Sequence, residues 1–173
     1  MAERRKINNF DFINQDSGKD DWGTPKKLFE YLDKEWHFEL DPCANDRNHL
    51  CEKYYTKAED GLSQDWEGKR VYMNPPYGRE TGKWIEKAYR ESVKGASVVC
   101  LIPARPDTSY WHNWIFPYAS KIQFIQGRLH YSDGKEGCPF PSAIVIFQCS
   151  SQGGYNDMAF EKKGGEFYVG NRA

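Results

Sequence analysis

The sequence contains no run of about 18 apolar residues, the length a membrane-spanning helix needs, and its charged start, residues 1–6, has no apolar stretch behind it. Neither a membrane span nor a secretory signal is expected. No CxxC pair occurs among Cys43, Cys51, Cys100, Cys138 and Cys149, and the neighbouring Cys43, His49 and Cys51 match no common zinc spacing, so no metal is expected. An odd set of thiols without paired spacing points to a reducing cytoplasm. Excess charge of one sign is also lacking: 24 Lys and Arg stand against 25 Asp and Glu. A nucleic-acid binder with this balance must gather its cations on one face. No internal repeat is visible, and 173 residues fit a single core.

Aromatic residues are plentiful: six Trp, eleven Tyr and ten Phe. Their large areas fill a small core well, or serve to stack on a ligand, and composition does not choose between the two. Residues 1–20 are polar and read as a mobile arm, 21–149 as the folded domain, and 150–173, with their Gly pairs, as a loosely attached tail.

Within the domain, Thr24 as cap and Pro25 at the first helical position predict a helix that carries Leu28, Tyr31 and Leu32 on one side and ends near Trp36. Residues 37–41 read as a short strand that stops at Asp41-Pro42. The polar stretch 44–69 is the least legible, with a short strand at 53–56 and a turn at 59–62. A strand at 70–73 then meets the rigid loop Asn74-Pro75-Pro76-Tyr77-Gly78. Trp84, Ile85, Ala88 and Tyr89 share one face of the following helix, which Gly95 stops.

The β-branched apolar run 97–102 predicts a central strand buried on both faces. Asp107 is expected to cap a helix bearing Tyr110, Trp111, Trp114, Ile115 and Tyr118, before a strand at 121–125. Residues 128–131 and 143–147 read as a hairpin closing the sheet. The fold class is therefore α/β: a mostly parallel sheet with helices on both faces and an antiparallel terminal hairpin.

Ligands of such sheets bind outside the carboxyl ends of the strands, where Asp41-Pro42-Cys43-Ala44 and Asn74-Pro75-Pro76-Tyr77-Gly78 fall. An acidic residue there suits a ligand with hydroxyl or amino donors. The second segment suits an amino group conjugated to a ring, a poor nucleophile. The Asn74 amide oxygen and the Pro75 carbonyl would accept its two N–H groups and favour the more tetrahedral, positive nitrogen of the transition state. Tyr77 would stack on the ring, and the paired Pro75 and Pro76 keep the acceptors aligned. Alone, the tetrapeptide fits a tight turn equally well.

The surrounding segments carry a resemblance. Trp22-Gly23-Thr24-Pro25 with Leu28-Phe29, Leu40 to Ala44, Tyr54-Tyr55-Thr56 with Asp60-Gly61-Leu62, Asn74 to Gly78, Leu101 to Arg105 with Asp107-Thr108, and Pro139 to Ala143 follow one another in order. Across residues 22–147 the chain resembles the phage and bacterial DNA N6-adenine methyltransferases, the small Dam-like enzymes. The resemblance implies a Rossmann-like class I fold, shortened between the first strand and the Asn-Pro-Pro-Tyr loop. It implies S-adenosylmethionine as donor and S-adenosylhomocysteine as product. It further implies that Trp22, Thr24 and Pro25 border the methionine end of the donor, that Asp41, Cys43 and Ala44 mark its pocket, and that Asp60 faces the adenosine. Unlike the wider methyltransferase pattern, no Gly-x-Gly follows Asp41, and the ribose-binding residue is not identified.

An enzyme of this type flips its target base out of double-stranded DNA. Candidates for holding phosphates are Arg79, Arg105, Arg128 and Lys83, with Lys83 reading equally well as a solvated helix face and Arg105 favoured for directly following the central strand. The same loop also resembles that of methyltransferases acting on RNA amino groups or on protein glutamines, and a non-catalytic nucleic-acid-binding relative is the remaining alternative. The DNA reading rests on the segments at 22–25 and 105–108. It places the protein in the cytoplasm of a bacterial or phage-infected cell.

Overall fold

A computed structural model describes residues 23–129 and 138–149 in full, with the backbone of two further strands at Met158–Lys163 and Glu166–Asn171. Helix α1, Lys26–Trp36, begins where expected, but Pro25 is its cap and no side chain closes its N-terminus. The Thr24 hydroxyl, expected there, turns elsewhere. The helix ends at His37, which takes a left-handed conformation (φ 51°). The next N–H, of Phe38, is held by the Asp33 carboxylate at 2.7 Å. This tight exit shortens the strand expected at 37–41 to β1, Leu40–Asp41.

Strands β2 (Lys53–Tyr54), β3 (Arg70–Met73), β4 (Ser97–Pro103), β5 (Lys121–Phe124) and β6 (Ser142–Gln148) complete a six-stranded sheet in the order β2-β1-β3-β4-β6-β5. The pairs β2–β1, β1–β3 and β3–β4 are parallel, and β6 runs antiparallel to both neighbours. The expected hairpin is thereby corrected. Arg128 and Leu129 lie outside any strand, residues 130–137 lie outside the described residues, and β6 pairs with β4 and β5 instead. The reason is burial: Ser142 through Phe147 are all buried, so this strand must be covered on both faces and is inserted rather than left at an edge.

In β4 the side chains alternate between two cores. Val98, Cys100 and Ile102 join Ile85 and Ala88 of α2 (Thr81–Val93), together with Trp111 and Ile115. Val99 and Leu101 join Leu32 of α1, Tyr72 and Ile144 on the opposite face. Helices thus cover both faces, and each fully buried large side chain contributes about 1.5–3 kcal/mol. Gly95, with φ of 101°, ends the α2 region as expected. The segment after β4 differs from expectation. Asp107 makes no cap; the Thr108 hydroxyl donates to the Arg105 carbonyl at 2.8 Å, and Trp111–Ile115 wind as a π-helical turn continuing into α3, Phe116–Tyr118.

The stretch 44–69, poorly legible in sequence, is tied down by Trp66 and Glu91. Trp66 is fully buried; its ring N–H donates to the Gly61 carbonyl at 3.0 Å and its backbone N–H to Glu91 at 2.8 Å. Burial alone would raise the Glu91 carboxyl, but Lys87, Lys94 and the Trp66 N–H outweigh it and leave it below the ordinary range. The strands Met158–Lys163 (β7) and Glu166–Asn171 (β8) form a separate antiparallel pair in the tail, where sequence reading places no element. Among the described residues no helix is long and apolar enough to cross a membrane, and no group of three or more His, Cys, Asp or Glu is arranged to hold a metal ion.

Candidate active site

Strand β1 lies between β2 and β3, so the chain order turns back at β1, and a crevice opens where the carboxyl ends of β1 and β3 part. A cavity of about 500 Å³ sits there. One wall is the turn after β1, Pro42, Cys43 and Ala44 with Asn45 and Asn48; a second is Thr56, Lys57, Asp60 and Gly61; the third is Asn74, Pro75 and Pro76 backed by Glu80 and Trp84. The two segments singled out from sequence are thus brought together.

Each wall is held locally. Where glycines were missing, asparagines shape the turn: Asn45 N–H donates to the Asn48 side chain at 2.7 Å, and the Asn45 side chain accepts the N–H groups of Arg47 and Asn48 at 2.8 and 3.1 Å. Asp60 adopts φ of 51° at the rim, and its carboxylate accepts the Leu62 N–H at 3.3 Å. Gly61 is required sterically, since a Cβ there would stand 1.9 Å from the Pro42 carbonyl oxygen. Nothing in the local sequence reveals that approach.

Asp41 does not line the cavity but lies buried beneath it, only 5% exposed. Its carboxylate accepts the N–H groups of Leu50 at 3.3 Å and Cys43 at 3.5 Å, joining both ends of the turn. Burial pushes its pKa up to about 6, against the lowering effect of those two N–H groups and of His49. Burial, with Asp41 beside it, also pushes the Cys43 thiol well above its ordinary range. A thiolate nucleophile at this wall is therefore disfavoured.

Asn74 is the junction of the site. Its Oδ1 accepts the Tyr77 hydroxyl at 2.8 Å, and its Nδ2 donates to the Thr24 hydroxyl at 3.1 Å, which in turn shares a 2.8 Å hydrogen bond with Tyr72. The loop is pinned from behind by Thr81, a residue sequence reading missed. The Thr81 hydroxyl donates to the Pro76 carbonyl and accepts the Gly78 N–H, both at 2.9 Å. Threonine opening a helix just after a proline loop was the available signal.

Beyond Tyr77 the surroundings change. The Phe140 ring meets Tyr77 edge-on at 5.3 Å between centroids, and the Arg105 guanidinium sits over Phe140 at 5.5 Å. Burial raises the Cys138 thiol, against the lowering effect of the Phe140 backbone N–H and of the Arg128 and Arg105 charges. Arg79 is exposed directly after the loop. Lys83 is engaged by Glu80 at 2.7 Å on the exposed side of α2.

Of the residues expected at a donor pocket, Cys43, Ala44 and Asp60 line the cavity, while Thr24, Pro25 and Asp41 do not; Trp22 lies outside the described residues. Asn45, Asn48, Thr56, Lys57, Gly61, Glu80 and Trp84 line it without having been expected at a donor pocket. Polar loop residues carry no periodic signal, and their convergence is a property of the fold.

A family model described as DNA N-6-adenine-methyltransferase (Dam) matches residues 13–149. The chain is 31% identical over 124 residues to a DNA N-6-adenine-methyltransferase of Escherichia phage T1, a match covering 70% of this chain and 51% of that protein. It is 27% identical over 140 residues to a DNA N-6-adenine-methyltransferase of Haemophilus phage HP1 (strain HP1c1), covering 76% of this chain and 80% of that one. The chain thus spans about half the length of the T1 relative and most of the HP1 relative.

Proposed function

The chain belongs to the DNA N-6-adenine-methyltransferase (Dam) family, and on that premise we propose that it methylates the N6 amino group of adenine in double-stranded DNA, using S-adenosylmethionine. The observation that carries this reading is the double position of Asn74. It borders the cavity together with Pro75 and Pro76, while its amide oxygen is engaged by Tyr77, whose ring belongs to the aromatic wall outside.

The cavity fits the donor. Its volume lies within the roughly 300–1,000 Å³ of small-molecule sites, and it combines amide and carboxylate groups at Asn45, Asn48 and Asp60 with apolar walls at Pro75 and Trp84. Cys43, Ala44 and Asp60 would hold the donor, and Asp41 would keep the turn beneath it closed. When bound, S-adenosylmethionine supplies an electrophilic methyl group on a sulfonium, which departs as S-adenosylhomocysteine.

The remaining work is done by the chain. A carbonyl oxygen has two lone pairs, so Asn74 Oδ1 can keep the Tyr77 hydroxyl and still accept one N–H of the target amine, with the Pro75 carbonyl taking the other. Accepting both favours the positive, tetrahedral nitrogen of the transition state, and the methylated nitrogen then releases one of these two protons to become neutral. Tyr77, fixed by Asn74 at its hydroxyl and by Phe140 at its ring, offers a rigid face for a flipped base. Arg79, Arg105 and Arg128 would hold the flanking phosphates.

The sheet order and the single antiparallel strand β6 support a Rossmann-like class I methyltransferase fold. The phage sources of both relatives support action in the cytoplasm of an infected bacterial cell.

The test is incubation with labelled S-adenosylmethionine and separate DNA, RNA and protein acceptors, followed by digestion to nucleosides. Label in N6-methyldeoxyadenosine from duplex DNA is expected. Label in cytosine, RNA or a glutamine side chain overturns the reading.

A further inference from the structure

The Thr24 hydroxyl stands in the middle of the site without lining the cavity and without capping the helix it precedes. We propose that Thr24, supported by Tyr72, is a positioning residue that sets the plane of the Asn74 amide; the proposal rests on the methyl-transfer reading above.

The need for such a residue follows from the side chain itself. The terminal torsion of asparagine is broad and roughly two-fold, so packing alone does not select where its oxygen points, and only hydrogen-bond partners can. Asn74 has one at each end: Tyr77 donates to Oδ1 at 2.8 Å, and Thr24 accepts from Nδ2 at 3.1 Å. Tyr77 lies on the outer side of the pair, within the proline loop and beside the outer aromatic wall. Thr24 lies on the inner side. It is 7% exposed, and its partner Tyr72 is fully buried in β3, with its ring held edge-on by Phe29 and Phe38 at 5.1 and 5.3 Å. Whichever hydroxyl donates in the 2.8 Å Thr24–Tyr72 bond, Thr24 retains a lone pair for the Asn74 N–H. The core below the sheet is thus linked, through two hydroxyls, to the acceptor that meets the target amine.

The consequence is specific. Replacing the hydroxyl by a methyl of similar shape leaves the packing in place but removes the Thr24 acceptor from the nitrogen end of the amide, so the oxygen loses alignment when the transition state forms. A misplacement of about 1 Å at a reacting group costs on the order of 10²-fold in rate.

The experiment uses the full chain with duplex DNA and compares Thr24→Val, Thr24→Ser and Tyr72→Phe. Single-turnover methylation, S-adenosylmethionine binding by calorimetry and thermal melting are measured for each. Thr24→Val is expected to lower the saturated single-turnover rate about 100-fold, with donor affinity within about twofold and melting nearly unchanged, and Thr24→Ser to recover to within about threefold of wild type. Tyr72→Phe is expected to fall between them, and it carries the comparison if Thr24→Val does not fold. A wild-type rate in both Thr24→Val and Tyr72→Phe overturns the proposal. So does a loss confined to donor affinity, which would assign Thr24 to the donor pocket, or an equal loss in the serine variant. A wild-type protein that transfers no methyl group to adenine brings down the underlying reading instead, and this inference with it.

Discussion

On one side of the Asn74 to Tyr77 loop the chain offers short polar turns around a cavity, closed by asparagine side chains and by a buried carboxylate, Asp41. On the other side it offers rings and guanidinium groups, with Tyr77 against Phe140 and Phe140 beneath Arg105. The first side can enclose a small polar molecule; the second presents flat apolar faces and positive charge, as a base and its phosphates require. The loop belongs to both. On the proposed reading the contrast separates a donor side from a DNA side that meet at one amide, and each side should fail in its own way.

The largest effect is expected where the sides meet. Asn74→Ala should lower the methylation rate about 10³-fold, comparable to losing one preorganised transition-state hydrogen bond, while S-adenosylmethionine still binds in a calorimetric titration. A variant with unchanged turnover would remove Asn74 from the chemistry.

Next comes the buried acid beneath the donor side. The Asp41 pKa is about 6 in the folded protein and near its ordinary 3.8 when unfolded, so folding favours the protonated form. Its contribution is most favourable below pH 3.8 and is lost as the pH rises through about 6. Asp41→Asn removes this dependence. Denaturant unfolding from pH 4 to pH 7 should show the variant's stability rising relative to wild type by about 2 kcal/mol across that window. A constant difference would mean that Asp41 is not held protonated by burial.

Gly61→Ala should then separate the two sides directly. Its Cβ would press on the Pro42 carbonyl, a backbone atom that cannot swing away, and so displace a cavity wall. Donor affinity is expected to fall at least about tenfold with duplex affinity nearly unchanged, roughly 1.4 kcal/mol confined to one ligand. The smallest effect belongs to the opposite side: Arg105→Ala should weaken duplex binding about fivefold, reduce the salt slope by about one and leave donor affinity alone. If either variant disturbs both ligands equally, the division does not hold.

Much of this was legible in sequence where the signal is local. The strand at 70–73, the helix around Trp84 and Ile85, and the buried strand from Ser97 followed from apolar spacing, and the structure has all three. Both site loops were legible because proline, glycine and a lone polar residue at a strand end leave few alternatives. The misreadings came where a distant partner overrides a local preference. Thr24 reads as a helix cap yet bonds Tyr72 and Asn74, and residues 143–147 read as half of a local hairpin yet join β4 and β5.

By itself, then, the sequence determined most element types between residues 26 and 124 and the positions of the two loops, because each depends on neighbours a few residues away. Only the tertiary structure decided that Thr24 meets an amide 50 positions later, that Gly61 passes under Pro42, that Phe140 braces Tyr77, and that β6 enters between β4 and β5. Such contacts close long loops at an entropic cost that no single pair repays; burial of the whole sheet between its helices does, and no local pattern records which residues that burial brings together.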